Sequence, residues 1–150
     1  MDASVGVQVE SLIMKYDDAS WHYGGDFPVD SPREYGGVHI GLFLKWCFFQ
    51  GWAGQFHKEH SASALQCVLE GRLSGTEFLF QYCDEKFTDE DLSPEGNAFA
   101  KSYYGENGLY LRDFADRFSS DMYVKPETDF NFKEFSKMLE RRKRSGDLCE

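Results

Sequence analysis

The 150-residue chain lacks an apolar run long enough to cross a bilayer. Its longest, Ile40 to Phe49, is broken by Lys45 and falls far short of the roughly 20 residues a spanning helix needs. No basic segment followed by an apolar stretch and a small-residue cleavage site opens the chain, so export is not expected and a cytoplasmic location is. Cysteine is scarce: Cys47, Cys67, Cys83 and Cys149 show no CxxC spacing, and the first three fall on apolar helical positions. That argues against a zinc ribbon or a disulfide framework and for buried free thiols in a reducing compartment. Basic side chains are also few, 16 Lys and Arg against 26 Asp and Glu, for a net charge of −10. Residues 121 to 150 carry seven of each sign, so the whole excess lies in the first 120. Such a body repels nucleic acid and anionic membrane and attracts a basic partner.

What is present in quantity is aromatic: 14 Phe, 8 Tyr and 3 Trp, each bringing a large contact area to a core. Residues 1–14 read as an N-terminal extension in which Val5, Val7 and Val9 alternate, which allows one short strand. Residues 15–150 read as a single globular domain. From Tyr16 to Gly37 turn-formers are dense, with Gly24-Gly25, Pro28 and Pro32 among them. Trp21, Tyr23 and Phe27 are too apolar for a loose loop, so this segment is expected to pack as an ordered aromatic loop. Val38 to Phe49 is apolar nearly all round and predicts the buried central helix, stopped by Gly51. Trp52 to His60 reads as a connector. Ser63 with Gln66, Ser74 with Glu77, and Asn131 with Glu134 have capping spacing, and Ser93 precedes a proline at a first helical position. Leu111, Phe114, Ala115 and Phe118 mark another helix, and Phe132, Phe135, Met138 and Leu139 the inner face of the last. The fold class is mainly α, about six helices.

Chemical motifs are missing as well. HxH, HExxH, GxSxG, GxGxxG, the P-loop and the EF-hand spacing are all absent, which removes the common local signatures of metal, nucleophile, phosphate and calcium sites. His57 and His60 are three apart and form one weak pair. Trp21, His22, Asp26 and His39 are the residues that could line a pocket in the N-terminal loop, since imidazoles with a carboxylate are what acid–base or metal chemistry requires. The acidic run Asp84, Glu85, Asp89, Glu90 and Asp91 is the interaction candidate, a set of carboxylates able to grip Lys or Arg with nearby aromatics as anchors. Asp89 to Asp91 also suits the first turn of a short helix capped by Thr88. The basic tail Arg141 to Arg144 suits the negative end of a helix dipole or an internal acidic partner.

Several stretches together resemble a bacterial family of uncharacterised domains. They are Tyr16-Asp17-Asp18-Ala19-Ser20-Trp21-His22-Tyr23-Gly24-Gly25-Asp26-Phe27-Pro28, then Gly37 to Leu44 with Trp46, Cys83 to Phe87, and Glu95 to Ala100. The resemblance covers roughly residues 15 to 120 and supports reading residues 1–14 as an extension. The family brings no established activity, but its members resemble the small acidic proteins found beside polymorphic toxins, which implies an immunity role. The expectation is therefore a protein that neutralises a cytosol-acting toxin with a basic surface. No catalytic residue, metal or cofactor is expected, nor any nucleic-acid or membrane partner. The rival expectation is a small enzyme built on His22, Asp26 and His39, and a plain housekeeping interaction domain stands third.

Overall fold

Every residue from Val38 to Phe48 is buried, and that segment forms the axis of the molecule as α1 (Val38–Phe49). The computed structural model describes residues 13–23, 27–118 and 126–150. Before α1 come a short strand, β1 (Lys15–Asp18), and two 3-10 turns, Ala19–His22 and Arg33–Gly37. After it follow α2 (Gln55–His60), α3 (Ala62–Leu69), α4 (Gly75–Tyr82), β2 (Lys86–Thr88), a 3-10 turn at Asp89–Asp91, α5 (Pro94–Tyr103), α6 (Tyr110–Phe118) and α7 (Asp129–Ser145). The fold is mainly α, as the periodicity predicts, with seven α-helices among the described residues. No helix among them is long and apolar enough to cross a membrane.

The two strands pair antiparallel, Asp17 opposite Phe87 and Asp18 opposite Lys86, with an irregularity between Lys15 and Asp17. Both strands are too short and polar to show a period-two pattern, so the sequence did not reveal them. The alternation expected at Val5 to Val9 lies outside the described residues. Strand β1 sits beside the aromatic core, and its pairing with β2 determines which way Asp17 faces.

Around α1 the core is built from rings. The Phe43 ring centre lies 4.9 Å from Tyr110, 5.0 Å from Tyr104 and 5.7 Å from Phe87, tilted or edge-on as ring quadrupoles prefer. Helix α4 crosses α1 at two glycines that permit backbone contact. A Cβ on Gly41 would lie 2.4 Å from Thr76 N, and one on Gly75 2.0 Å from Gly41 O. A side chain at either place would force the helices apart. Glu127, 4% exposed at its side chain, reaches in to accept hydrogen bonds from Gly75 N at 2.8 Å and Thr76 N at 2.7 Å. Its carboxylate thereby satisfies amides that a helix start leaves open. It also approaches Lys45, the one cation of α1, at 3.8 Å, while the Lys45 ammonium lies 4.4 Å from the Phe132 ring centre. Lys45, read from sequence as an interruption of the apolar run, is thus buried and paired.

Several local signals appear as expected. Ser74 and Glu77 form a capping box, Ser93 caps α5 with Pro94 in its first turn, and Thr88 caps the 3-10 turn at Asp89. Others shift. Helix α3 starts at Ala62 behind Ser61 rather than at Ser63, and α7 starts at Asp129, capped by Thr128. The connector after Trp52 contains α2, whose six residues are too few to display a period. Phe49 and Leu111, expected inward, are half exposed at 47% and 41%. Phe135, Met138 and Leu139 are buried as expected, with Phe132 partly so. Of the basic tail, Arg142 grips Asp113 with Nε at 2.8 Å and Nη2 at 3.0 Å, an internal acidic partner.

Candidate functional site

Strand β1 ends in two carboxylates with different tasks. Asp18 Oδ1 accepts from Ser20 N at 2.9 Å and Ser20 Oγ at 2.7 Å, which starts the tight turn Ala19–His22. That turn brings His22 back over the strand, with Nε2 2.8 Å from Asp17 Oδ1. From the other side comes His39, the second residue of α1 and wholly buried, with Nε2 3.0 Å from Asp17 Oδ2. The two imidazole Nε2 atoms are 3.2 Å apart. Tyr104, just past the end of α5, donates its hydroxyl to Asp17 Oδ2 at 2.5 Å, and Asp18 N donates to Oδ1 at 2.8 Å.

Burial by itself would raise the Asp17 carboxyl, but the hydrogen bonds and charges of His22 and His39 outweigh it and hold the group well below the usual carboxylate range. Burial is also the chief influence on His39, pushing it down and favouring the neutral ring although Asp17 pulls the other way. The arrangement is an ionised carboxylate held between two imidazoles, able to shuttle a proton or to present three converging lone-pair donors. Asp17, His22 and His39 form one of two groups among the described residues that could hold a metal ion.

Two of the four pocket residues expected from sequence, His22 and His39, therefore meet. Asp26 lies outside the described residues. Trp21 is 59% exposed, with the Lys15 ammonium 5.2 Å from its ring centre. The carboxylate that joins the imidazoles is Asp17, which sequence reasoning passed over as a turn-former, and Tyr104 went unnoticed in the same way. The one signal in the sequence is an acidic pair, Asp17-Asp18, a few residues before a histidine.

The acidic run divides. Asp84 and Glu90 are exposed, Glu85 and Asp89 half-buried, and Asp91 buried. Asp84 and Glu85 both adopt positive φ, 54° and 63°, in the turn from α4 into β2. Such backbone is costly for residues with a Cβ and is found where surrounding contacts over-determine it. Here Glu85 accepts from Tyr23 Oη at 2.9 Å and Arg33 Nη2 at 3.1 Å, and the exposed Lys86 ammonium approaches Asp84 at 2.8 Å. The Tyr23 phenol, desolvated and facing Glu85, is pushed up to about 12. Asp91 turns inward: Oδ1 lies 2.7 Å from His57 Nε2, and Oδ2 accepts from Thr88 N at 2.8 Å.

Beside these residues is a surface depression whose walls include Phe56, Tyr82, Asp84 and Glu90. His57, Asp91 and Cys83 also line it, with Cys83 Sγ 3.7 Å from His57 Nε2. These three are the second group able to hold a metal. Burial and the Asp91 charge push the Cys83 thiol up, which opposes a nucleophilic thiolate. Cys47 is buried, Cys67 half-buried and Cys149 exposed, all as free thiols.

Comparison with known proteins places the chain in a family. A family model described as a domain of unknown function (DUF7832) matches residues 15–130. No curated protein matches the chain. Nor does any solved structure.

Proposed function

The chain belongs to the DUF7832 family, and from that premise we propose that it is a partner-binding domain of the immunity type. In this reading it neutralises a cytosol-acting toxin by seating a basic segment of that protein in the depression beside the α4–β2 turn. One observation carries it. Phe56 and Tyr82, each 44% exposed, stand next to Asp84 and Glu90 on a chain of net charge −10, with Lys86, paired to Asp84, the one cation in the lining. Exposed aromatics supply contact area, and flanking carboxylates select Lys or Arg. The net charge speeds encounter, while the rings slow release. The unfavourable backbone at Asp84 and Glu85 fits a turn retained for what it presents rather than for stability.

The test is co-expression with the product of the adjacent gene. The reading expects growth rescue, a stable complex, and loss of affinity by at least about tenfold in the double variant Asp84→Lys and Glu90→Lys with melting unchanged. A harmless neighbour that does not bind the chain, or a complex indifferent to those two charges, would overturn it. A second reading, a small enzyme at the N-terminal loop, draws support from the meeting of His22 and His39 on Asp17. The two part on His22→Ala, which spares binding under the first and abolishes turnover under the second.

A further inference from the structure

We propose that Asp17, His22 and His39 form a binding site for a divalent cation of the zinc class. It is independent of the partner-binding face and uses two imidazole Nε2 atoms and a carboxylate.

The first support is geometric. Zinc bonds to nitrogen and oxygen are about 2.0–2.2 Å, so ligand atoms around a tetrahedral ion lie roughly 3.3 Å apart. The two Nε2 atoms here are 3.2 Å apart, and they lie 2.8 and 3.0 Å from different oxygens of the one Asp17 carboxylate, spacings that an ion would widen by a few tenths of an ångström. The second support is proton bookkeeping. A neutral imidazole nitrogen is either a donor or an acceptor. If both Nε2 atoms carry hydrogens, each can serve its own oxygen of the carboxylate, and the 3.2 Å contact between the nitrogens is then no hydrogen bond. If one gives up its hydrogen, its lone pair faces an Asp17 oxygen 2.8 or 3.0 Å away. On neutral rings at most two of the three contacts are therefore hydrogen bonds, whereas one central cation draws on all three groups.

The surroundings are those of a metal site as well. Tyr104 and the Asp18 amide both donate to Asp17, the outer hydrogen bonding that orients a ligating carboxylate. Asp17 and His39 are buried, while His22, at 14% side-chain exposure, leaves a way in. Imidazole with carboxylate suits zinc, and three protein ligands leave a position for water. The His57, Cys83 and Asp91 group makes the weaker case. It has a single imidazole, and its sulfur stands 3.7 Å from that ring's Nε2.

The experiment uses the full chain stripped with chelator and titrated with Zn²⁺ and, as a spectroscopic stand-in, Co²⁺. We expect one equivalent to bind, a rise in melting temperature, and visible Co²⁺ bands of low symmetry without sulfur charge-transfer absorption. His22→Ala, which also removes a partner of the buried Asp17 and is therefore compared with its own stripped form, should lose affinity by about tenfold or more, since losing even an outer partner of a ligand costs that much. Cys83→Ser should bind like the wild type. Absence of a stoichiometric shift would overturn the proposal, as would a sulfur band that disappears in Cys83→Ser, or affinity unchanged in His22→Ala.

Discussion

Asp17 is the residue on which most of the N-terminal architecture converges. It accepts from Tyr104 and the Asp18 amide and meets two imidazoles, all while 3% exposed. An amide in its place would keep the shape but remove the charge, and would set an NH₂ against donors. Hydrogen bonds to a charged group are typically worth about 1.5–3 kcal/mol, and a buried donor left without an acceptor costs a similar amount. Asp17→Asn should therefore lower the unfolding free energy by about 3 kcal/mol in chelator-treated protein, read from urea denaturation. A loss below about 1 kcal/mol, the size of an ordinary exposed contact, would mean that the carboxylate is not the organising charge.

Among the elements, the helices are tied by a few polar clasps as well as by rings. Asp113 on α6 accepts from Tyr103 on α5 at 2.5 Å and from Arg142 on α7 through both oxygens. Partial burial raises its carboxyl, but the Arg142 guanidinium and the Tyr103 hydroxyl outweigh that and hold it below the usual range. A depressed folded value means that the unfolded chain binds the extra proton first. The contribution is thus complete above the ordinary carboxylate value of about 4 and is lost as pH falls through the lower folded one. Measured by chemical denaturation, the stability gap between wild type and Asp113→Asn should be constant near neutrality and shrink below about pH 4. A gap that stays constant under acid would show that the clasp does not depend on the charge.

At the scale of the whole molecule, the acidic excess and the aromatic core divide the labour. The rings around Phe43 give rigidity without needing charge, and the carboxylates left on the surface give a long-range field. On α7, Arg142 is paired with Asp113, and Lys143 donates to Gln50 Oε1 at 2.8 Å. Association with a basic partner should accordingly slow by about tenfold or more between low salt and about 0.5 M, while dissociation changes little. Stopped-flow or surface-based kinetics would read this, and an association rate indifferent to salt would contradict steering by charge.

Sequence by itself determined the elements whose signals are local. The all-round apolar run of α1, the Ser74–Glu77 box, the Ser93–Pro94 start and the excess of carboxylates all follow from residues close together in the chain. Of the candidate site, His22 and His39 were legible as chemical types, because an imidazole is conspicuous wherever it falls. Their partner was not. Asp17 meets His39 across 22 positions and Tyr104 across 87, and a carboxylate in a turn-rich segment looks like any other until a strand pairs and aims it inward. The same holds for Glu127, which reaches 51 positions back to Thr76, and for Asp91, which turns to His57 instead of joining its acidic neighbours at the surface. Short-range chemistry writes caps and periods into a sequence; which distant charge is buried against which ring is decided only when tertiary packing excludes water from both.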